Sequence, residues 1–179
     1  MAKKSTATPF REILTDIRKG IFANTYILMG EEAYYIDKLV EALEEYVVPE
    51  EDRDFNQTAY YGNEIDIPVV IATAQQFPVM SERRLVLAKE CQAMLSARTE
   101  LDKLSEYVLR PAHNTVLVVV YKGDNLNATS KLMKAAAKAE AVVFRSPRLR
   151  DYELGLPIKD YCMSRHIGID DRSVNMLVE

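Results

Sequence analysis

Short apolar runs alternate along this chain with amphipathic stretches. Thr25 to Met29 reads as a strand, and Glu31 to about Tyr46 as a helix, since Ile36, Leu39, Val40 and Leu43 recur at helical spacing while Lys38, Glu44 and Glu45 stand outside. The same unit then repeats. Asp54 to Tyr61 alternates as a half-buried strand would, Asp66 is placed to cap a helix from Pro68 to Gln75, and Arg84 to Lys89 is a compact apolar strand. Thr99 is expected to cap a helix carrying Leu101, Leu104, Tyr107 and Val108. TVLVVVY at 115–121 is so continuously β-branched that both of its faces must be covered, which predicts the central strand. Thr129 opens a lysine-faced helix to Ala139, and AVVF at 141–144 supplies a fifth strand. Ahead of all these, Thr8-Pro9 and the following FREILTDIRKG predict a short helix with Phe10, Ile13, Leu14 and Ile17 on one face and Gly20 as its stop.

Strands and helices in strict alternation predict an α/β fold: a mostly parallel five-stranded sheet with right-handed crossovers and helices on both faces, a three-layer α/β/α sandwich. It should end near Ser146-Pro147, giving a first domain over 1–146 and a second over 147–179. In the second, Leu149 to Arg165 and Asp170 onward read as two helices broken at Gly168. The last helix, DRSVNMLVE, stops while still apolar and without a C-cap, so the sequence is expected to end inside a helical second domain. There is no internal repeat and no low-complexity segment.

At 179 residues and 48% hydrophobic, the chain can bury one well-formed core with a small appended unit. The 23 Lys and Arg against 27 Asp and Glu leave a net charge of −4, which excludes wrapping nucleic acid with the whole surface; any DNA contact has to be local. Cys91 and Cys162 lie far apart with no Cys or His beside either at metal-ligand spacing. That pattern points to a reduced, cytoplasmic protein without a metal, and no stretch approaches the roughly 18 apolar residues of a membrane span.

The first strand runs into a lone glycine and then a helix, where a nucleotide-binding fold carries its phosphate loop. Such a loop needs a second glycine, a lysine and a Ser or Thr, because backbone N–H groups, an ammonium and a hydroxyl must converge on phosphates and magnesium. Gly30 is followed instead by Glu31, Glu32, Ala33, Tyr34, Tyr35 and Ile36. Two carboxylates stand where a triphosphate would bring its own negative charge, so glutamates serve this helix terminus and no nucleotide cofactor is expected. His113 and His166 are isolated, Asp124 sits in a Gly-Asp-Asn turn that turn chemistry alone explains, and Cys91 has no identifiable partner base. No catalytic residue is assigned.

A second feature lies between the predicted helix ending at Gln75 and the strand at Arg84. Phe77, Pro78, Val79 and Met80 are four successive non-polar residues in a connection that ought to be polar, closed by Ser81, Glu82, Arg83 and Arg84. Such a knuckle has two uses: it tucks beneath its own sheet, or it points outward to fill a pocket on a partner. A buried Val or Met contributes roughly 1.5–3 kcal/mol before ordering costs, so two of them suffice to anchor a protein contact.

YILMGEEAYYIDK at 26–38, FPVMSERRLVLAKE at 77–90, TVLVVVYKGDNLN at 115–127 and RLRDYELGLPIKDYCMSRHIGID at 148–170, in that order and spacing, resemble the delta subunit of the bacterial DNA polymerase III clamp loader. The resemblance runs from about Pro9 to Val178. It implies an AAA+-like, RecA-like α/β domain with a degenerate phosphate loop at Gly30, Glu31 and Glu32, followed by a small helical lid truncated here, with the C-terminal collar absent. It implies a subunit that is not an enzyme by itself but part of the DNA polymerase III holoenzyme, binding and opening the beta sliding clamp for loading onto primed DNA. Its other partners would be the gamma/tau and delta prime subunits, met mainly through the missing C-terminal region, and there is no membrane partner. In that family an apolar pair, usually Leu-Phe, enters a pocket of the clamp. The matching positions are Val79 and Met80, with Phe77 and Pro78 upstream and Arg83 and Arg84 closing the element. Arg145, Arg148 and Arg150, and the Lys131, Lys134, Lys138 face, are candidates for DNA phosphates; for the lysines a solvated helix face explains the spacing. A degenerate nucleotide-binding NTPase and an adaptor domain whose knuckle is merely core are the competing readings.

Overall fold

A computed structural model describes residues 9–146, 148–149 and 153–178. The chain divides into two compact units on either side of the Ser146–Pro147 bond.

The first unit is built on five strands: β1 (Thr25–Gly30), β2 (Gln57–Tyr61), β3 (Arg84–Lys89), β4 (Thr115–Lys122) and β5 (Val142–Ser146). They form one sheet in the order β2-β3-β4-β1-β5, and every pairing is parallel. The β-branched run at 115–121 is therefore the middle strand, hydrogen-bonded on both sides, as its composition predicts.

Helices α1 (Phe10–Arg18) and α2 (Ala33–Tyr46) cover one face. Ile13 and Ile17 of the first, and Ile36, Leu39 and Leu43 of the second, pack there on Tyr26, Leu28, Leu85, Leu87, Val116 and Val118. The residues between those on the same strands, Ile27, Met29, Val86, Leu117 and Val119, point to the other face. There they meet α4 (Ile67–Ala74), α5 (Ala97–Leu101), α6 (Ser105–Leu109) and α7 (Lys131–Lys138). Two buried faces require apolar residues at both parities, which is why these strands read as continuous hydrophobic runs.

The connections explain the order. The β1-to-β2 crossover carries α2 on one face, while the later crossovers run back across the sheet with their helices on the opposite face. The crossovers that leave the neighbouring strands β1 and β4 thus go to opposite faces, which makes the ends of these two strands the switch point of the sheet.

Several expected boundaries move, each for a local reason. Residues 54–56 are not strand: α3 (Arg53–Asn56) precedes β2, because the Asn56 side chain bonds back to the Asp52 carbonyl at 3.1 Å and closes a helical turn. Thr99 does not cap a helix; it lies inside α5, whose first turn starts at Ser96 in the left-handed region, with the Ser96 carbonyl accepting from Thr99 N. A 3₁₀ turn at Asp102–Leu104 then separates α5 from α6. Asp66 occupies the N-cap of α4 but accepts with its backbone carbonyl, from Val70 N, and not with its side chain. Helix α7 is capped by Ser130, whose hydroxyl accepts from Met133 N, whereas Thr129 is turned to Asn127. At the N-terminus Pro9 holds the cap position of α1, and Thr8 lies outside the described residues.

The second unit contains α8 (Gly155–Ser164) and α9 (Asp171–Val178). Lys159 bridges to Asp171, and the Asp170 side chain accepts from Ser173 N at 2.7 Å to cap α9.

Candidate functional site

Parallel strands give the sheet two chemically different edges, one where all strands begin and one where all end. The knuckle lies at the first, just before β3; Gly30 lies at the second, where β1 ends.

At the beginning edge the knuckle is outward. Phe77 is 80% exposed, Met80 95% and Val79 48%, while Pro78 is half-buried. The backbone beneath these side chains is fastened. The Val79 carbonyl accepts from Asn56 Nδ2 at 2.8 Å and the Val79 N–H donates to Asn56 Oδ1 at 2.7 Å. Met80 adopts φ +54°, a left-handed conformation that costs a non-glycine residue about 1 kcal/mol or more and aims the next peptide away.

The two arginines divide the work. Arg84 is only 5% exposed, so it departs from the expectation of a contact residue: its Nη2 donates to the Phe77 carbonyl at 3.3 Å and supports the knuckle from below. Arg83 is half-buried, with its guanidinium 5.2 Å from the centre of the Phe22 ring. Met80 and Arg83 form one rim of a groove of about 550 Å³ whose floor includes Phe22, Val47 and Val48. Asn56 is the residue the sequence pattern does not reveal. A buried asparagine inside an apparently alternating run carries no periodic signal, and only its distant partner at 79 gives it a role.

At the ending edge, Gly30 has φ +123°, and a Cβ there would stand 2.1 Å from the Ser146 carbonyl oxygen. Its own carbonyl accepts from Gly123 N at 2.8 Å. Only Glu31 and Glu32 separate it from α2, so the link is too short to wrap a phosphate with backbone N–H groups. Glu32 accepts from Tyr34 N at 3.4 Å and Ser146 Oγ donates to the Glu32 carbonyl at 2.8 Å, which ties the turn to β5.

Beside that turn, in the crevice at the switch point, Lys122 reaches Asp37 at 2.8 Å and Glu90 at 3.0 Å. The hydrogen bond from Lys122 holds the Glu90 carboxyl below its ordinary value, against the opposing effect of burial and with help from Gln92. For Lys122 burial lowers the pKa, but the bonds to Asp37 and Glu90 outweigh it and the ammonium titrates above its ordinary value. A depressed carboxylate stabilises the fold above its unfolded pKa and loses that contribution as pH falls through the folded one. Glu90→Gln is therefore expected to cost less than about 1 kcal/mol at neutral pH, the pair being partly solvated. It should also flatten the acid limb of the stability curve below the ordinary value of 4.5, as urea unfolding across that range would measure.

The remaining candidates are not gathered into a site. Cys91 is fully buried and its thiol is pushed up to about 12 by burial, so the thiolate is out of reach. His113 and His166 are exposed, and Asp124 pairs with Arg98 at 2.5 Å. Lys131, Lys134 and Lys138 are exposed on α7; Arg145 is half-buried near the end of β5, Arg148 is exposed, and Arg150 lies outside the described residues. Among the described residues no group of three or more His, Cys, Asp or Glu side chains could hold a metal, and no helix is long and apolar enough to cross a membrane.

This geometry has relatives. The Bacillus subtilis DNA polymerase III subunit delta is 30% identical over 133 residues, covering 71% of this chain and 38% of that protein. The solved Bacillus subtilis DNA clamp loader delta protein superposes with a TM-score of 0.74 at 26% identity, over 95% of this chain and 52% of that one. A DNA polymerase III gamma subunit-related protein from Thermotoga maritima shares the fold alone, at a TM-score of 0.50 and 18% identity over 86% of this chain and 50% of its own. The α/β/α arrangement is thus AAA+-like, and the chain spans 38% of the curated delta subunit and 52% of the solved one. Residues 26–146 match the family described as DNA polymerase III, delta subunit, and with this sequence and fold the chain belongs to it.

Proposed function

We propose that this chain is the clamp-gripping part of a clamp-loader delta subunit: Phe77, Val79 and Met80 enter an apolar pocket of the ring-shaped sliding clamp and favour its open form. The observation that carries this reading is an apolar cluster held outward on fastened backbone, with Phe77 and Met80 almost fully exposed beside a half-exposed Val79. A soluble surface seldom leaves such a cluster without a partner. Phe77 supplies the aromatic surface that the Val-Met pair lacks beside Leu-Phe, and Met80 adapts its unbranched thioether to an irregular pocket. Pro78 shapes the segment, Arg83 lines the neighbouring groove, and Arg84 works from beneath.

No bond is made or broken in this subunit. A ring that exists in closed and open forms is shifted toward the open one by a ligand with higher affinity for that form, and only the difference in affinity does the shifting. The short Glu31-Glu32 link and the Lys122 ion pairs support a division of labour in which ATP acts in sister subunits of the loader. The helices α8 and α9 belong to the lid, Arg145 and Arg148 are available to primed DNA within the assembled loader, and the place of action is the cytoplasm.

Retention on the immobilised cognate clamp tests the proposal. Wild type should be held and Val79→Ala/Met80→Ala released; equal retention would remove the site assignment. Titration with magnesium-ATP in a calorimeter should give no binding heat, and micromolar affinity would return the chain to the nucleotide-binding class.

A further inference from the structure

We propose that Asn56 is a positioning residue for clamp recognition, its carboxamide serving as a one-residue substitute for a neighbouring strand that holds the Val79 peptide and so fixes the direction of Met80. The inference rests on the reading of the knuckle as the clamp contact.

Asparagine is a residue usually left in water, yet Asn56 is fully buried. Burial of its amide is compensated: Nδ2 donates to Val79 O at 2.8 Å and to Asp52 O at 3.1 Å, and Oδ1 accepts from Val79 N at 2.7 Å. Both backbone groups of Val79 are thus taken by one side chain, in the reciprocal pattern that two paired strand residues make. The next residue, Met80, sits at φ +54°, a conformation that persists in a non-glycine residue only when its surroundings dictate it. Arg84 supplies a second fastening at the Phe77 carbonyl, 3.3 Å away, so the two polar residues bracket Pro78. Fixed backbone under exposed side chains means that little conformational freedom remains to be lost on docking.

A purely structural role for Asn56, closing the α3 turn through Asp52, has a different reach. It would loosen the whole first unit, whereas a positioning role is confined to residues 79 and 80.

The test uses the full chain, with Asn56→Ala, Asn56→Asp and the Val79→Ala/Met80→Ala pair. Amide hydrogen exchange at Val79 is followed by NMR beside that of Leu87 and Val118 in the strands, and each protein is titrated with the cognate sliding clamp. Asn56→Ala should speed exchange at Val79 by roughly tenfold or more with Leu87 and Val118 unchanged, and weaken clamp binding roughly tenfold. Asn56→Asp keeps the acceptor for the Val79 N–H but sets a carboxylate against two carbonyls; it should show the same local loosening and serves if the alanine variant does not fold. Unchanged exchange at Val79, or equal acceleration at all three amides, overturns the positioning role. So does wild-type clamp affinity in the Asn56 variants when Val79→Ala/Met80→Ala has lost it. If that double variant itself binds the clamp like wild type while Asn56→Ala still loosens Val79, the clamp contact fails and the backbone positioning stands.

Discussion

Val79→Ala/Met80→Ala is expected to lower affinity for the cognate clamp about fortyfold while leaving the fold intact. Full burial of either parent side chain is worth roughly 1.5–3 kcal/mol, and truncation to alanine forfeits about half of that at each site. The sum is about 2.2 kcal/mol, which is between one and two decades in the dissociation constant. Met80 stands in water and Val79 is half-exposed in the free protein, so neither substitution opens an interior cavity, and urea unfolding should move by no more than about 0.5 kcal/mol. Surface plasmon resonance on immobilised clamp, paired with the unfolding curve of each variant, checks both halves. Lost binding with lost stability would mean that the knuckle belongs to the core after all.

Gly30→Ala is expected to have the largest effect on stability, about 3–5 kcal/mol in urea unfolding. The new methyl would stand 2.1 Å from the Ser146 carbonyl oxygen and 2.8 Å from the Ser146 nitrogen, and φ at +123° lies outside the range an L side chain tolerates. Relief by movement is blocked, since Gly30 is in register with Ser146 on one side and Lys122 on the other and accepts from Gly123 N at 2.8 Å. Gly20→Ala provides the comparison. Its φ is +75° with nothing within 4 Å of a Cβ, so the backbone term alone applies, about 1 kcal/mol. Equal losses at the two positions would show that the close approach of β1 to β5 is not what requires glycine at 30.

The sheet could be read from the sequence because burial on both faces leaves a signal that needs no partner: VLVVV within TVLVVVY and LVLA within RLVLAK are apolar at every position for that reason. Details set by single hydrogen bonds were less legible. Asn56 turns 53–56 into helix through one bond to Asp52, and the alternation of neighbouring residues hides it. Ser130 and Thr129 are chemically equal candidates for a cap, and what separates them is that Asn127 already occupies the Thr129 hydroxyl. Arg84 shows a further limit. Four charged or polar residues in a row, Ser81 to Arg84, look like a solvated closure, but the guanidinium has an internal carbonyl to serve and lies in the interior. The apolar cluster was visible as an anomaly of composition; its left-handed Met80 and its support by Asn56, 23 positions from Val79, were not.

The knuckle and the Gly30 turn occupy opposite poles of one parallel sheet, separated by strands of five to eight residues, roughly 16–26 Å at about 3.3 Å each. The inner strands β1, β3 and β4 are buried on both faces in tightly packed core. If the knuckle grips the clamp as proposed, its timing is set by occlusion: a neighbouring body covers or uncovers the knuckle as a whole, and the rigidly packed domain acts as a fixed jaw.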